Sequence, residues 1–288
     1  MRRASAIEKE SVQIGTIEDL TGVFESIAST QVAKVRNKVE LSKEFFELLW
    51  RRYRSIRVDP KTRITNRSDD KKQKQAFIII SAEAGLSGDI DKRLIESMLK
   101  NYDKATIDII VLGTHGATQL TQLGISFVRY FQVPETDSYI DVSPVIEALE
   151  PYSKVIVYYG EYVSLGVQDV KSIDLVSSMR DMSHEDEIDE DTMTAEDTIF
   201  EPSLDEIAEQ MEKTMMTLAL SQTILESSLA QAASRFNSMA VAKKRAGELL
   251  ADYRLEFHRA KRSESDRQLR EVMISIKKKK ARARGLAR

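Results

Sequence analysis

The chain has 288 residues, 42% of them hydrophobic and 31% charged, a balance that fits a folded chain with a sizeable core and excludes a wholly disordered one. It holds no cysteine, so disulfides, thiolate metal sites and cysteine nucleophiles are excluded, and nothing marks an oxidising compartment; cytosol is the default. The net charge of -3 hides a sorted distribution: residues 235–288 carry 17 Lys/Arg against 6 Asp/Glu (net +11), residues 1–54 carry 10 against 8 (net +2), and the remainder carries -16.

Apolar residues recur at helical spacing from about Ile7 to Tyr53 through Ile14, Ile17, Leu20, Phe24, Ile27, Val35, Val39, Phe46 and Leu49, with no proline, which predicts a long first helix. Gly15 and Gly22 each cost that helix about 1 kcal/mol relative to alanine, so packing against a partner surface has to hold its early turns. The longest purely apolar run, around Phe77 to Ile80, is too short to span a membrane, and Met1 to Arg3 leads into charge, so neither a transmembrane span nor a signal peptide is expected.

After a polar linker (57–75) come strand-like runs at Ala76–Ser81, Ala105–Gly113, Ile125–Val133 and Lys154–Val163, with helical segments at Ile90–Lys100, Ala117–Leu123 and Ser143–Leu149 between them. Strand and helix alternate, which predicts an α/β domain (76–180) with parallel pairing, and Gln168–Val176 is read as an antiparallel edge strand. Between Asp181 and Glu206 there are 12 Asp/Glu, too much charge to fold alone; residues 181–201 are read as an acidic loop.

A second long helix is predicted over residues 202–276, because from Ser203 onward the chain has no proline and glycine only at Gly247 and Gly285. Ser203 with Glu206 forms a capping-box pattern behind Pro202. One seven-residue series stays apolar through Leu204, Met211, Leu218, Leu225, Ala232, Met239, Ala246, Tyr253 and Ala260, the pattern of a coiled-coil seam. Ala232, Met239 and Ala246 are expected to face the first helix, with Arg235 and Lys243–Arg245 pointing elsewhere. At about 1.5 Å per residue the helix reaches on the order of 110 Å, beyond the diameter of the middle domain. A basic tail (277–288) with seven positive charges is expected to fray at the tip.

The loop Gly85, Leu86, Ser87, Gly88 follows a strand and precedes a helix, but it is neither a dinucleotide fingerprint nor a P-loop, and Asp89 would repel phosphate; a structural turn or subunit contact is the preferred reading. His115, His184 and His258 lack metal-ligand spacing, and no nucleophile elbow occurs, so no catalytic, cofactor or metal site is assigned. The basic helix admits three readings: a nucleic-acid clamp, short of aromatics to stack bases; a solvated face; or a positive surface for acidic protein loops.

The motifs resemble the γ subunit of F-type ATP synthases, in the same order along the chain. Asp19–Ala28 reads DLTGVFESIA against the family's K-I-T-x-A-M-x-M-V-A; Ser81–Asp91 reads SAEAGLSGDID against S-x-x-G-L-C-G-G-L-N, with Ser87 at the cysteine and Asp89 at the second glycine. FEPSLDEIAEQM is similar to the Y-E-P start of the C-terminal helix, and SRFNSMAVAKKRAGELL follows the family's A-R-M-x-A-M-x-x-A pattern through Arg235, Phe236, Met239, Ala242, Ala246 and Leu249. His258–Met273 is similar to the next family block at Ala260, Leu269, Glu271 and Val272, with Lys261 at an arginine, Arg262 and Asp266 departing from it, and Gln268 at a glutamate.

The resemblance implies an α/β fold plus a long antiparallel α-helical coiled coil, the helices of 1–56 and 202–276 paired and a Rossmann-like domain between them. It implies a non-catalytic central-stalk subunit that couples ion flow through a membrane ring to ATP synthesis or hydrolysis. Its expected partners are the α and β subunits of the hexamer, the ε subunit and the membrane c-ring, at the cytoplasmic face of the cell membrane, without nucleic acid, cofactor or membrane insertion. Arg235, Lys261, Arg262, Asp266 and Gln268 fall at or near positions that engage β-subunit loops, and the Gly85–Gly88 loop lies near the membrane-ring end. The competing classes are a stand-alone coiled-coil adaptor with an α/β head, the shaft of a diverged ATPase paralogue, and a helix-based nucleic-acid binder.

Overall fold

In a computed structural model, which describes residues 3–55, 74–133, 140–149, 151–152, 154–175 and 204–285, the alternating middle of the chain forms a five-stranded sheet. The elements run α1 (Ala4–Ser55), β1 (Gln75–Ile80), α2 (Ile90–Leu99), β2 (Ile107–Leu112), α3 (Thr114–Gln122), β3 (Arg129–Phe131), α4 (Ser143–Leu149), β4 (Lys154–Tyr162), β5 (Gln168–Asp174) and α5 (Leu204–Gly285). The acidic 181–201 loop, the Pro202–Ser203 cap and most of the 57–75 linker lie outside the described residues. The chain divides into two compact units, residues 27–238 and residues 1–26 with 239–288; α1 and α5 contribute to both.

In the larger unit the strand order is β3-β2-β1-β4-β5. β1 pairs in parallel with β2 (Ile78 opposite Ile110) and with β4 (Ile78 opposite Val157), while β5 runs antiparallel to β4, with Lys171 opposite Tyr159, as the sequence predicted. A parallel strand covered on both faces reads as a continuous apolar run, which is why AFIII is buried at every position. Ala76, Ile78 and Ile80 belong to one core with Val35, Val39 and Phe46 of α1, Leu149 of α4, and Met215, Leu220, Ile224 and Leu229 of α5. Phe77 and Ile79 belong to the other, with Leu94, Ile95 and Met98 of α2 and Leu120 of α3. Gly160 of β4 lies close against α5: a Cβ there would come within 3.2 Å of the Ala230 Cβ and 2.9 Å of Ile90 Cδ1.

Three elements depart from the sequence reading. The strand expected over Ile125–Val133 is confined to Arg129–Phe131, because Gly124 leaves α3 in a left-handed conformation (φ 71°) and the chain rejoins β2 only where the Val128 N–H donates to Ile109 O at 2.8 Å. α3 starts at Thr114 rather than Ala117, since the Glu83 carboxylate accepts the Thr114 N–H at 3.3 Å and satisfies an otherwise orphaned donor of the first turn. α5 passes the expected boundary at 276: Lys, Ala and Arg are strong helix formers, and the helix runs on to the next glycine, Gly285.

In the smaller unit the start of α1 and the end of α5 pack antiparallel. The Ala4 N–H donates to Glu264 Oε1 at 3.1 Å, and further along Lys243 Nζ meets Glu25 Oε2 at 2.9 Å. Between them, a Cβ at Gly15 would lie 4.0 Å from Leu250 Cδ2, and one at Gly22 would lie 3.5 Å from Lys243 Cε. The glycines that weaken α1 therefore sit where a side chain of α5 occupies the space. Lys243 thus corrects the expectation that it points away from the first helix: its aliphatic stem lies over Gly22 while its ammonium reaches Glu25.

Gly113 links β2 to α3 at φ 103°, and a Cβ there would stand 2.2 Å from the backbone oxygen of Ser81. Gly113→Ala should therefore cost about 3 kcal/mol or more, whereas Gly124→Ala, at φ 71° in open space, should cost only about 1–2 kcal/mol. Urea denaturation of the two variants against the parent measures the difference.

Candidate functional site

At the C-terminal end of β1 the chain must leave the sheet beside α5, and polar side chains settle the backbone there. Ser81 Oγ donates to Leu112 O at 2.9 Å and accepts the Gly116 N–H at 2.9 Å. From α5, Ser227 Oγ donates to Ile80 O at 3.1 Å, Gln231 Nε2 donates to the same carbonyl at 3.4 Å and to Ser227 Oγ at 3.0 Å, and Ser234 Oγ donates to Ser87 O at 2.6 Å. Ser227, Gln231 and Ser234 recur at i, i+4 and i+7, one face of the helix.

Arg235 completes the attachment. Its Nη2 donates to Ala84 O at 3.1 Å, its Nε to Gly85 O at 3.4 Å and its Nη1 to Gln31 Oε1 of α1 at 3.4 Å. The sequence placed Arg235 away from the first helix; its hydrogen bond to Gln31 reverses that, because the guanidinium fork spans both the loop and α1. Burial pushes the Arg235 pKa down, and the carboxylate of Asp91 acts against that fall.

Asp91, on the first turn of α2, is the buried acceptor beneath the loop. Its Oδ1 accepts the Ala82 N–H at 3.3 Å, and its Oδ2 meets Ser87 Oγ at 3.1 Å and His115 Nδ1 of α3 at 2.6 Å. Of the four loop residues singled out by sequence, Ser87 is buried and Gly88 (φ 70°) presses on α5, where a Cβ would come 2.6 Å from Ser238 Oγ. A Cβ at Gly85 would meet open space, and Leu86, 52% exposed, is held at φ 70°, an uncommon backbone for a branched residue. The loop turns the carbonyls of Ala84 and Gly85 toward the Arg235 guanidinium.

The remaining residues that the sequence reading assigned to partner contacts lie in the smaller unit. Lys261, Arg262, Asp266 and Gln268 are exposed on α5, Lys261 with its Nζ 5.6 Å from the centre of the Phe257 ring. Among them and beyond stand exposed Leu255, Leu269, Val272, Met273 and Ile276, an apolar surface on a basic helix. Of the seam residues, Leu225, Ala232, Met239 and Ala246 are buried, and Leu218 and Tyr253 are half-buried. His258 packs edge-on to Phe257, and His184 lies outside the described residues. Sequence reasoning missed Asp91, His115 and the Ser227–Gln231–Ser234 stripe as a joined set; only the helical spacing of the stripe was visible in the sequence.

Comparison with known proteins follows the same architecture. The family model described as ATP synthase matches residues 4–277, and the chain belongs to that family. Its relatives there are gamma chains: that of Clostridium novyi is 23% identical over 93% of this chain and 95% of its own length, and that of Ureaplasma urealyticum is 23% identical over 93% and 97%. Among solved structures, a chain of the Euglena gracilis mitochondrial ATP synthase (OSCP/F1/c-ring, rotational state 3) superposes with a TM-score of 0.65 at 12% identity over 94% of each chain. A chain of the Tetrahymena thermophila mitochondrial ATP synthase central stalk and c-ring gives 0.58 at 13% identity over 77% of this chain and 99% of its own. These likenesses establish the fold.

Arg235→Ala removes a charged donor from two carbonyls and an amide, and should cost about 1–3 kcal/mol in urea denaturation. Arg235→Lys should recover only a minor part, because an ammonium cannot span the three acceptors.

Proposed function

We propose that the chain is the central-stalk γ subunit of a rotary F-type ATP synthase, coupling ion flow through a membrane ring to ATP synthesis or hydrolysis on partner subunits. The observation that carries this reading is the family match over residues 4–277, together with gamma-chain relatives that span 93% of the chain. The chain itself is non-catalytic; the reacting nucleotide belongs to partner α and β subunits, and ε and the c-ring complete the stalk. Among the described residues no helix is long and apolar enough to cross a membrane, in keeping with a peripheral subunit at the cytoplasmic face of the cell membrane that is held through the ring.

The physical basis lies in the end of α5. Residues 235–288 carry a net +11, and the exposed Lys261, Arg262, Asp266 and Gln268 stand on that helix. A shaft turning inside a ring must keep its binding energy nearly level between angles, so solvent-screened charge contacts with acidic partner loops suit it better than deep sockets. The partners, for their part, need differential contacts at each angle to hold different conformations. The Gly85–Gly88 loop, with Arg235 behind it, is a second contact on the larger unit.

Tagged protein expressed with its genomic neighbours should bring down a hexameric ATPase; recovery of none would overturn the reading, and salt-sensitive retention on DNA in its place would favour a nucleic-acid binder. Removal of Lys277–Arg288 should leave ATP-driven proton pumping by the complex largely intact, while deletion back to Arg254 should reduce it several-fold.

A further inference from the structure

We propose that Asp91 and His115 are positioning residues of a joint that fastens the 82–88 loop to α5, so that the exposed tip of the loop moves with that helix as one part. The loop is short of reasons to stay in place by itself. Gly85 has no neighbouring atoms within 4 Å of a Cβ position, and Leu86 holds a left-handed backbone that costs a non-glycine residue about 1–2 kcal/mol. Leu86 is also 52% exposed, so it gains only part of what burial of an apolar side chain contributes.

What holds the loop comes from three other elements. α5 supplies Ser234 to Ser87 O and Arg235 to Ala84 O and Gly85 O. α2 supplies Asp91, whose side chain is 2% exposed and which accepts from Ala82 at one end of the loop and from Ser87 near the other. α3 supplies His115, whose Nδ1–H donates to the Asp91 oxygen that Ser87 also uses. Asp91 is thus met by His115 from α3, through a hydrogen bond, and by Arg235 from α5, through an electrostatic interaction. His115 holds the carboxylate from α3, and the carboxylate fixes Ser87, whose own carbonyl is the one Ser234 grips.

The joint is built from groups outside the two apolar cores. Removing Asp91 leaves the Ala82 N–H and the Ser87 hydroxyl without their acceptor, while Asp91 itself belongs to neither apolar core. The consequence for rotation rests on the central-stalk reading above: a loop tip that slips against α5 yields under load, and part of the torque is spent in the slip.

Two readouts test the joint. In the full chain, hydrogen exchange at residues 84–88 should rise about tenfold or more in Asp91→Ala and by a smaller factor in His115→Ala, with the strands of the sheet unchanged. Asp91→Asn, which keeps an acceptor for the Ala82 N–H and can turn its amide NH2 as a donor toward the Ser87 hydroxyl oxygen, should return exchange to within about threefold of the parent. In the assembled complex, Asp91→Ala should lower protons pumped per ATP hydrolysed by about twofold, and Asp91→Asn should restore the ratio. Unchanged exchange in both alanine variants, or a loosened loop with an unchanged pumping ratio, overturns the proposal. If Asp91→Ala does not fold, His115→Ala, whose side chain is 30% exposed, carries the same two measurements. Failure of the parent to assemble with an ATPase would sink the central-stalk reading alone, because the exchange measurement needs no partner.

Discussion

The face of the sheet made by Ala76, Ile78, Ile80, Ile110, Leu112, Val155 and Val157 sets the terms for the rest of the molecule. Its crossover helices cover the other face and, through α4, only part of this one. The remaining cover comes from the two ends of the chain, Val35, Val39 and Phe46 of α1 and the α5 residues from Met215 to Leu229. Each large apolar side chain buried there contributes about 1.5–3 kcal/mol. Two helices separated by the entire domain in sequence are thereby brought onto one surface, without need of high helix propensity in either.

Small and polar residues then decide how closely that cover can sit. Gly160 makes room for Ala230, and the buried Ala232 and Ala233 keep α5 thin where it crosses the end of β1. Burying polar atoms costs energy unless they are paired, and here Ser227, Gln231 and Ser234 spend their hydrogen bonds on backbone carbonyls of β1 and the loop that follows it. The same helix therefore holds the sheet by an apolar face and the loop by a polar one. In the smaller unit the logic repeats with less burial: Gly15, Gly22 and Gly247 let side chains of the opposite helix fill the space, and Glu25–Lys243 and Ala4–Glu264 fix the register.

Much of this was legible in the sequence, because apolar periodicity reports local structure directly. AFIII and its neighbours announced buried parallel strands, and the long proline-free ends announced helices that needed a partner. The family motifs supplied the pairing of those helices, which periodicity alone leaves open. What escaped was set by contacts distant in the chain. Asp91 is one of 46 acids until α3 brings His115 beside it, and Lys243 reads as a solvated charge until Gly22 offers its stem a place to lie. The short β3 was hidden because Ile125–Val128 is as apolar as a strand, yet the turn at Gly124 spends those residues in reaching the sheet edge. The end of the last helix was set too early for the opposite reason: the charge of the tail drew the boundary at 276, while its residues are good helix formers.

The central claim is that the start of α1 and the end of α5 work as one antiparallel shaft in a rotary ATPase. A chain with no cysteine of its own allows a direct test, a reducible link between Gly22→Cys and Lys243→Cys closed by two disulfides through a short dithiol, which spans the space that the end of the Lys243 side chain fills over Gly22. With the link closed in the assembled complex, ATP hydrolysis and proton pumping should continue at near the reduced rate, since both residues turn together. A loss of turnover on oxidation that returns on reduction would contradict the account, because it would mean that the two helices must move past one another for the complex to work.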